Sequence, residues 1–178
     1  MNKKKLVTEM GRIDRDAFAQ SRNLPLVVVL DNVRSLHNVG SVFRTSDAFR
    51  VECIMLCGIT ATPPSAEIHK TALGAEDVVD WKYYESTMDA VAELRSQGYR
   101  VYSIELCQGS IALQDFVTAP GERYAVVLGN EVKGVQQDVV DASDGAIEIP
   151  QFGTKHSLNV SVTAGMVIWE FAKKLGLV

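Results

Sequence analysis

The sequence predicts an α/β fold: a mostly parallel sheet with helices on both faces. Apolar runs of strand length alternate with segments of helical period along the whole chain. The run "LPLVVVL" is apolar without a polar face, as expected where a parallel sheet is covered on both sides. Polar and glycine-rich stretches follow these runs directly, which is where open parallel sheets hold ligands. With 178 residues, the chain fits one domain with a sizeable core.

The elements follow in order. Residues 6–22 read as a helix, weakened by Gly11. "LPLVVVLD" is a buried strand. From about residue 38 to 49, Val39, Val42, Phe43 and Phe49 recur at helical spacing. "CIMLCGI" is the next strand. "ATPPSAEIHKTALGAEDV" gives a loop, a short helix and a turn, punctuated by two prolines and Gly74. "VVDWKYY" is a short strand. "STMDAVAELRSQG" is a helix with Ser86 as N-cap and Gly98 after its end. "YRVYSIEL" and "YAVVLGN" are strands, "KGVQQDVVDAS" a short helix and "AIEIP" a strand. "SLNVSVTAGMVIWEFAKKLG" is a long final helix, with Val160, Ala164, Val167, Ile168 and Phe171 on one face.

Composition narrows the class. The formal net charge of −4 argues against a generic nucleic-acid binder. The distribution is uneven, because residues 1–50 hold nine Lys and Arg against five Asp and Glu. That asymmetry permits a basic face on an acidic body, or a merely solvated lysine tail. No apolar stretch approaches the roughly 20 residues that span a bilayer, and no apolar core follows the basic N-terminus, so neither a membrane span nor a signal peptide is expected. The three cysteines, Cys53, Cys57 and Cys107, lack metal-type spacing and read as reduced thiols in the cytoplasm, with no metal expected. Cys53 and Cys57 share a strand face and belong in the core.

Three strand-exit motifs carry the chemistry. In "NVGSVFR", Gly40 and Arg44 share a helix face, and side chains lean toward the helix N-terminus. Arg44 then reaches back over Gly40, whose missing side chain leaves room for a ligand, and its guanidinium suits phosphate. The alternative is a surface pair between Arg44 and Asp47. In "VVLGNEVKG", Gly129 ends a buried strand and bares its backbone, with Glu131 in the following loop. An ordinary strand-to-helix turn would carry the same residue types. In "IPQFGTKHSLNVSVTAG", Ser157 is the expected N-cap of the last helix, whose N-terminus suits an anionic or polar ligand. Asn159, expected one turn inside, is a poor helix former that needs a further reason.

Taken in this order, "N-x-G-x-x-x-R", "LGNE-x-x-G" and "IP…G…SLNVSV" resemble the SpoU (TrmH-like) branch of the SPOUT RNA methyltransferases. "HKTALGAEDVV" resembles a segment between the first two motifs, and the likeness covers roughly residues 24–174. The resemblance implies a fold with a deep C-terminal trefoil knot. It implies a single SPOUT domain over 24–178, preceded by a basic helical extension over 1–23. It implies S-adenosylmethionine as methyl donor, held by Leu106, Gly129, Ile149, Ser157 and Leu158, largely through backbone. The absence of a G-x-G-x-x-G loop fits this and counts against an ordinary dinucleotide-binding fold.

The implied reaction is methyl transfer to a ribose 2′-hydroxyl in tRNA or rRNA. Arg44, Asn38, Glu131, Ser157 and Asn159 form the implied catalytic set. Arg44 would hold an RNA phosphate and steady the developing alkoxide, because arginine is a poor proton acceptor. Asn38 and Glu131 would orient Arg44, and Ser157 and Asn159 would shape the pocket. A homodimer is implied, with Arg44 near the partner's cofactor site. The basic N-terminal segment, Arg12, Arg15, Arg22, Arg34, Lys155 and His156 are the candidates for RNA phosphate contacts. Two other readings are a non-catalytic RNA-binding or ribosome-assembly protein on the same fold, and a methyltransferase acting on a base.

Overall fold

The structure is a computed structural model and describes all residues except 1, 12, 14–16, 18–20, 22 and 156. Eight of the 17 positions of the helix expected over 6–22 lie outside the described residues; among the others, Val7–Glu9 form a 3-10 turn and Ala17 is helical.

The described strands are β1 (Leu24–Asp31), β2 (Val51–Cys57), β3 (Trp81–Tyr84), β4 (Tyr99–Ile104), β5 (Ile111–Ala112), β6 (Arg123–Leu128) and β7 (Gly145–Glu148). They form one sheet in the order β3-β2-β1-β6-β4-β7-β5, with every pairing parallel. The helices are α1 (Leu36–Ala48), α2 (Ala66–Ala72), α3 (Thr87–Ser96), α4 (Gln137–Ala142) and α5 (Val160–Lys174).

Period-two alternation along β1 sorts its side chains between two cores. Leu26, Val28 and Leu30 pack in a cluster with α1, α2 and α5, through Phe43, Ile68, Ala164 and Phe171. Val27 and Val29 join the opposite cluster with α3 and α4, through Val91, Leu94 and Val139. Both faces of the central strands are therefore covered, which is why "LPLVVVL" carries no polar face. Cys57 is buried in the second cluster with Cys53 packed against it, and all three cysteines are free thiols. Burial pushes the Cys57 thiol up to about 12 and the Cys53 thiol up to about 11, so both stay protonated at neutral pH.

Gly40 serves a different end from the one expected. It is buried, and an added Cβ would come under 3.0 Å from Thr71 Oγ1 and the Ile68 carbonyl. The missing side chain lets α1 lie against α2 rather than leaving room for a ligand. Thr71 Oγ1 seals the crossing by donating to the His37 carbonyl at 2.9 Å.

The start of the last helix also differs from expectation. Its N-cap is Asn159, not Ser157: the Asn159 side chain accepts from the N–H groups of Ser161 and Val162, at 2.8 and 3.4 Å. A poor helix former thus sits at the one helical position where its side-chain oxygen is favoured. Ser86 caps α3 as expected, and the apolar face of α5 is buried as its spacing predicts.

Candidate functional site: a cleft at the strand ends

A cleft of about 500 Å³ opens at the carboxyl ends of β4, β6 and β7, lined there by Ile104, Leu128 and Glu148. All five residues expected to hold the cofactor line it: Leu106, Gly129, Ile149, Ser157 and Leu158. They come from three separate strand exits, which the parallel sheet brings to one edge.

Gly129 allows a tight fold of the cleft's own wall. An added Cβ there would come under 3.0 Å from the backbone of Gly134 and Val135. The loop between them closes on itself through paired backbone bonds between Asn130 and Gly134, at 2.9 and 3.0 Å. Asn130 Oδ1 also accepts from the N–H groups of Val132 and Lys133, while its Nδ2 donates to the Asn32 carbonyl at 2.7 Å. The loop is thereby pinned to the exit of β1.

Glu131 makes the second tie. Its carboxylate accepts from the backbone N–H groups of Arg34 and Ser35, at 3.0 and 3.1 Å, and from Asn38 Nδ2 at 3.2 Å. These donors lie at the N-terminal end of α1, where the helix dipole favours a negative charge. Partial burial works against the charged form, but the hydrogen bonds from Arg34, Ser35 and Asn38 outweigh it. The carboxyl is held below its ordinary range.

Asn38 then extends the chain, because its Oδ1 accepts from Asn159 Nδ2 at 3.2 Å. Glu131, Asn38 and Asn159 thus form one continuous network. It joins the loop after β6, the start of α1 and the cap of α5. Each of the three sequence motifs contributes one member.

Arg44 is not part of this network. It is exposed on α1, it does not line the cleft, and its side chain makes no hydrogen bond or ion pair among the described residues. The Arg44–Asp47 pair considered as an alternative does not form. Neither Asn38 nor Glu131 hydrogen-bonds Arg44 in this chain. Of the catalytic set, Glu131 and Ser157 line the cleft, Asn38 and Asn159 buttress it, and Arg44 lies apart. Arg34 and Lys155 are exposed, whereas Arg12, Arg15, Arg22 and His156 lie outside the described residues.

Two supporting carboxylates were not anticipated. Asp31, fully buried at the end of β1, accepts from Thr87 Oγ1, Asn32 Nδ2, Gln136 Nε2 and the Gln136 N–H, at 2.6 to 2.9 Å. Glu105 accepts from the N–H groups of Leu106 and Val135, at 2.9 and 3.0 Å. Both hold the end of the 129–136 segment, Glu105 at Val135 and Asp31 at Gln136. The signal for Asp31 was present: a carboxylate ending an otherwise unbroken apolar strand must find donors, because burying it alone is costly.

The cleft suits S-adenosylmethionine chemically. Glu105, Glu131 and Glu148 give its wall an acidic balance against one Lys133, favourable for a cationic sulfonium and ammonium. Its apolar and backbone surfaces suit an adenosine. Among the described residues, no three His, Cys, Asp or Glu side chains come together to hold a metal ion.

Comparison with known proteins agrees with this geometry. The sequence profile of the SpoU rRNA Methylase family matches residues 25–169. The tRNA (guanosine(18)-2'-O)-methyltransferase of Thermus thermophilus is 30% identical over 164 residues, covering 92% of this chain and 82% of the relative. The 23S rRNA (guanosine-2'-O-)-methyltransferase of Vibrio parahaemolyticus is 29% identical over 170 residues, covering 96% of this chain and 68% of the relative. The AdoMet-bound rRNA methyltransferase of Sinorhizobium meliloti superposes with a TM-score of 0.79 at 27% identity, covering 90% of this chain and 60% of that one. The chain belongs to the SpoU rRNA methylase family.

Proposed function

We propose that this chain transfers a methyl group from S-adenosylmethionine to a ribose 2′-hydroxyl of tRNA or rRNA. The observation that carries the reading is the Glu131–Asn38–Asn159 network beside a cleft lined by all five expected cofactor residues. Family membership and relatives named for ribose 2′-O-methylation of both RNA classes support it.

The chemistry supplied by bound S-adenosylmethionine is a methyl carbon activated by its sulfonium. Leu106, Gly129, Ile149, Ser157 and Leu158 hold the cofactor, with the N-terminus of α5 beside it. Glu131 and Asn38 keep the loop after β6 closed against α1. Arg44 holds an RNA phosphate and stabilises the alkoxide that develops at the ribose oxygen. The hydroxyl proton passes to that phosphate or to another acceptor, since arginine does not take it. Positioning supplies much of the rate, because the leaving thioether needs no acid.

The active unit is a homodimer in this reading. Arg44 lies away from its own cleft, so it serves the cleft of a second copy. Val162, Met166 and Trp169 expose an apolar stripe on α5 at i, i+4 and i+7, suited to such a contact. The same reading carries one SPOUT domain over 24–178 with a basic extension before it, and a C-terminal trefoil knot. Ala164 and Gly165 keep α5 narrow enough to be threaded. A cytoplasmic enzyme without a membrane partner belongs to the same reading; separately, no helix among the described residues is long and apolar enough to cross a membrane. Incubation with methyl-labelled S-adenosylmethionine and unmodified RNA tests the function: label in RNA is expected, and cofactor binding without transfer contradicts it.

A further inference from the structure

Resting on that reading, we infer that Phe152 is a stacking platform for a nucleobase of the RNA substrate at the mouth of the cleft. Phe152 is 97% exposed, the most exposed of the large apolar side chains described. A single exposed apolar residue is ordinary, but several around one opening mark a contact surface. Phe152 sits on the segment between β7 and α5, directly after Gln151, which lines the cleft. Val132, Leu106 and Leu158, also exposed, line the same cleft.

The charges beside this rim complement a nucleic acid. Lys133 lines the cleft, Lys155 follows Phe152 by three residues, and Arg34 flanks Glu131. All three are exposed, and none makes an ion pair among the described residues. Elsewhere Lys70, Lys82, Arg123 and Lys173 are each paired with a glutamate. Free cations around an open aromatic ring are the combination that binds single-stranded nucleic acid, with phosphates on the cations and a base on the ring. A second copy of the chain would want a broad apolar face, and that face lies on α5. The ring on the cleft lip is left for RNA.

The test uses the full chain, methyl-labelled S-adenosylmethionine and pools of unmodified tRNA and rRNA. Phe152→Ala is expected to raise KM for RNA about five- to hundred-fold, the scale of one lost base–aromatic stack, with cofactor affinity unchanged. Phe152→Tyr and Phe152→Trp are expected to restore it. The salt dependence of RNA binding is expected to flatten in Lys155→Ala but not in Phe152→Ala, because only the lysine meets a phosphate. An unchanged KM for RNA in Phe152→Ala, with transfer intact, overturns the platform and leaves the methyl-transfer reading standing. A wild-type chain that methylates neither pool removes that reading and the platform with it. Sedimentation of Phe152→Ala as a monomer, against a dimeric wild type, assigns the ring to a contact between copies and also overturns the platform.

Discussion

Asn159 donates its side-chain amide to Asn38 Oδ1 at 3.2 Å, across 121 positions of sequence. The bond fixes the cap of the last helix to the first turn of α1. Asn38 passes the tie on to Glu131, so removing its side chain releases the cap of α5 from the other two strand exits, which stay joined through Glu131 and the N–H groups of Arg34 and Ser35. Asn38→Ala is expected to cost about 1–2 kcal/mol, two part-exposed hydrogen bonds at the usual net value. For a chain of this size that lowers Tm by about 2–8 °C. Calorimetry checks the stability, and the methyl-transfer rate should fall further than the stability loss explains.

Gly40 should not tolerate a side chain. In Gly40→Ala the methyl group meets the Ile68 carbonyl, which is backbone and cannot rotate away. Overpacking of this kind costs about 1–3 kcal/mol. Denaturant unfolding should show a lower midpoint with an unchanged slope. A midpoint equal to wild type would mean that α1 and α2 are not held so close.

The Glu131 carboxyl has a lowered folded pKa, so its stabilising contribution has a definite sign. The unfolded chain binds the proton more tightly than the folded one. The contribution is complete above the ordinary glutamate value, about 4.3, and is lost as pH falls through the lower folded value. Wild type should therefore exceed Glu131→Gln in stability at neutral pH, and the gap should close in acid. A gap that persists unchanged at low pH would place the effect in packing rather than charge.

Arg44→Ala should leave the fold and cofactor affinity intact, because Arg44 touches neither the network nor the cleft of its own chain. Methyl transfer should fall about 10²-fold or more, the scale of losing one electrostatic stabiliser. Turnover like that of wild type would end the assignment.

If Arg44 serves the partner's cleft, two inactive variants should rescue each other. Leu106→Arg places a bulky cation at the cofactor cleft and should abolish transfer. Co-refolding it in equal amounts with Arg44→Ala should regain about a quarter of the wild-type sites, since half the dimers are mixed and each has one intact site. No regain, with mixed dimers confirmed by mass, would put Arg44 and its cleft in one chain.

Much of this was legible in the sequence because period and position carry physical meaning. The run from Leu24 to Asp31 announced a strand covered on both faces, and Ser86 and Gly98 bracketed a helix by capping chemistry. Every expected cofactor residue followed a strand or preceded the last helix, and the parallel sheet brings those exits together. What local pattern could not show was partnership across the chain. The need for Gly40 is set by Ile68 and Thr71, on another helix. Asn159 looks misplaced only if the helix is capped at Ser157, two residues before its actual N-cap. β5 has two residues, too few for any period to register. Asp31 was visible as a charge at the end of an apolar strand, but three of its four donors come from two distant segments, at Thr87 and Gln136.

The most direct test of methyl transfer to ribose is the identity of the product. Unmodified tRNA and rRNA pools are incubated with methyl-labelled S-adenosylmethionine and the wild-type chain, then digested to nucleosides. The account predicts label in a 2′-O-methylnucleoside, whose 3′ linkage resists alkaline hydrolysis. Label in a base-methylated nucleoside, or none in either pool while the cofactor binds, would contradict it.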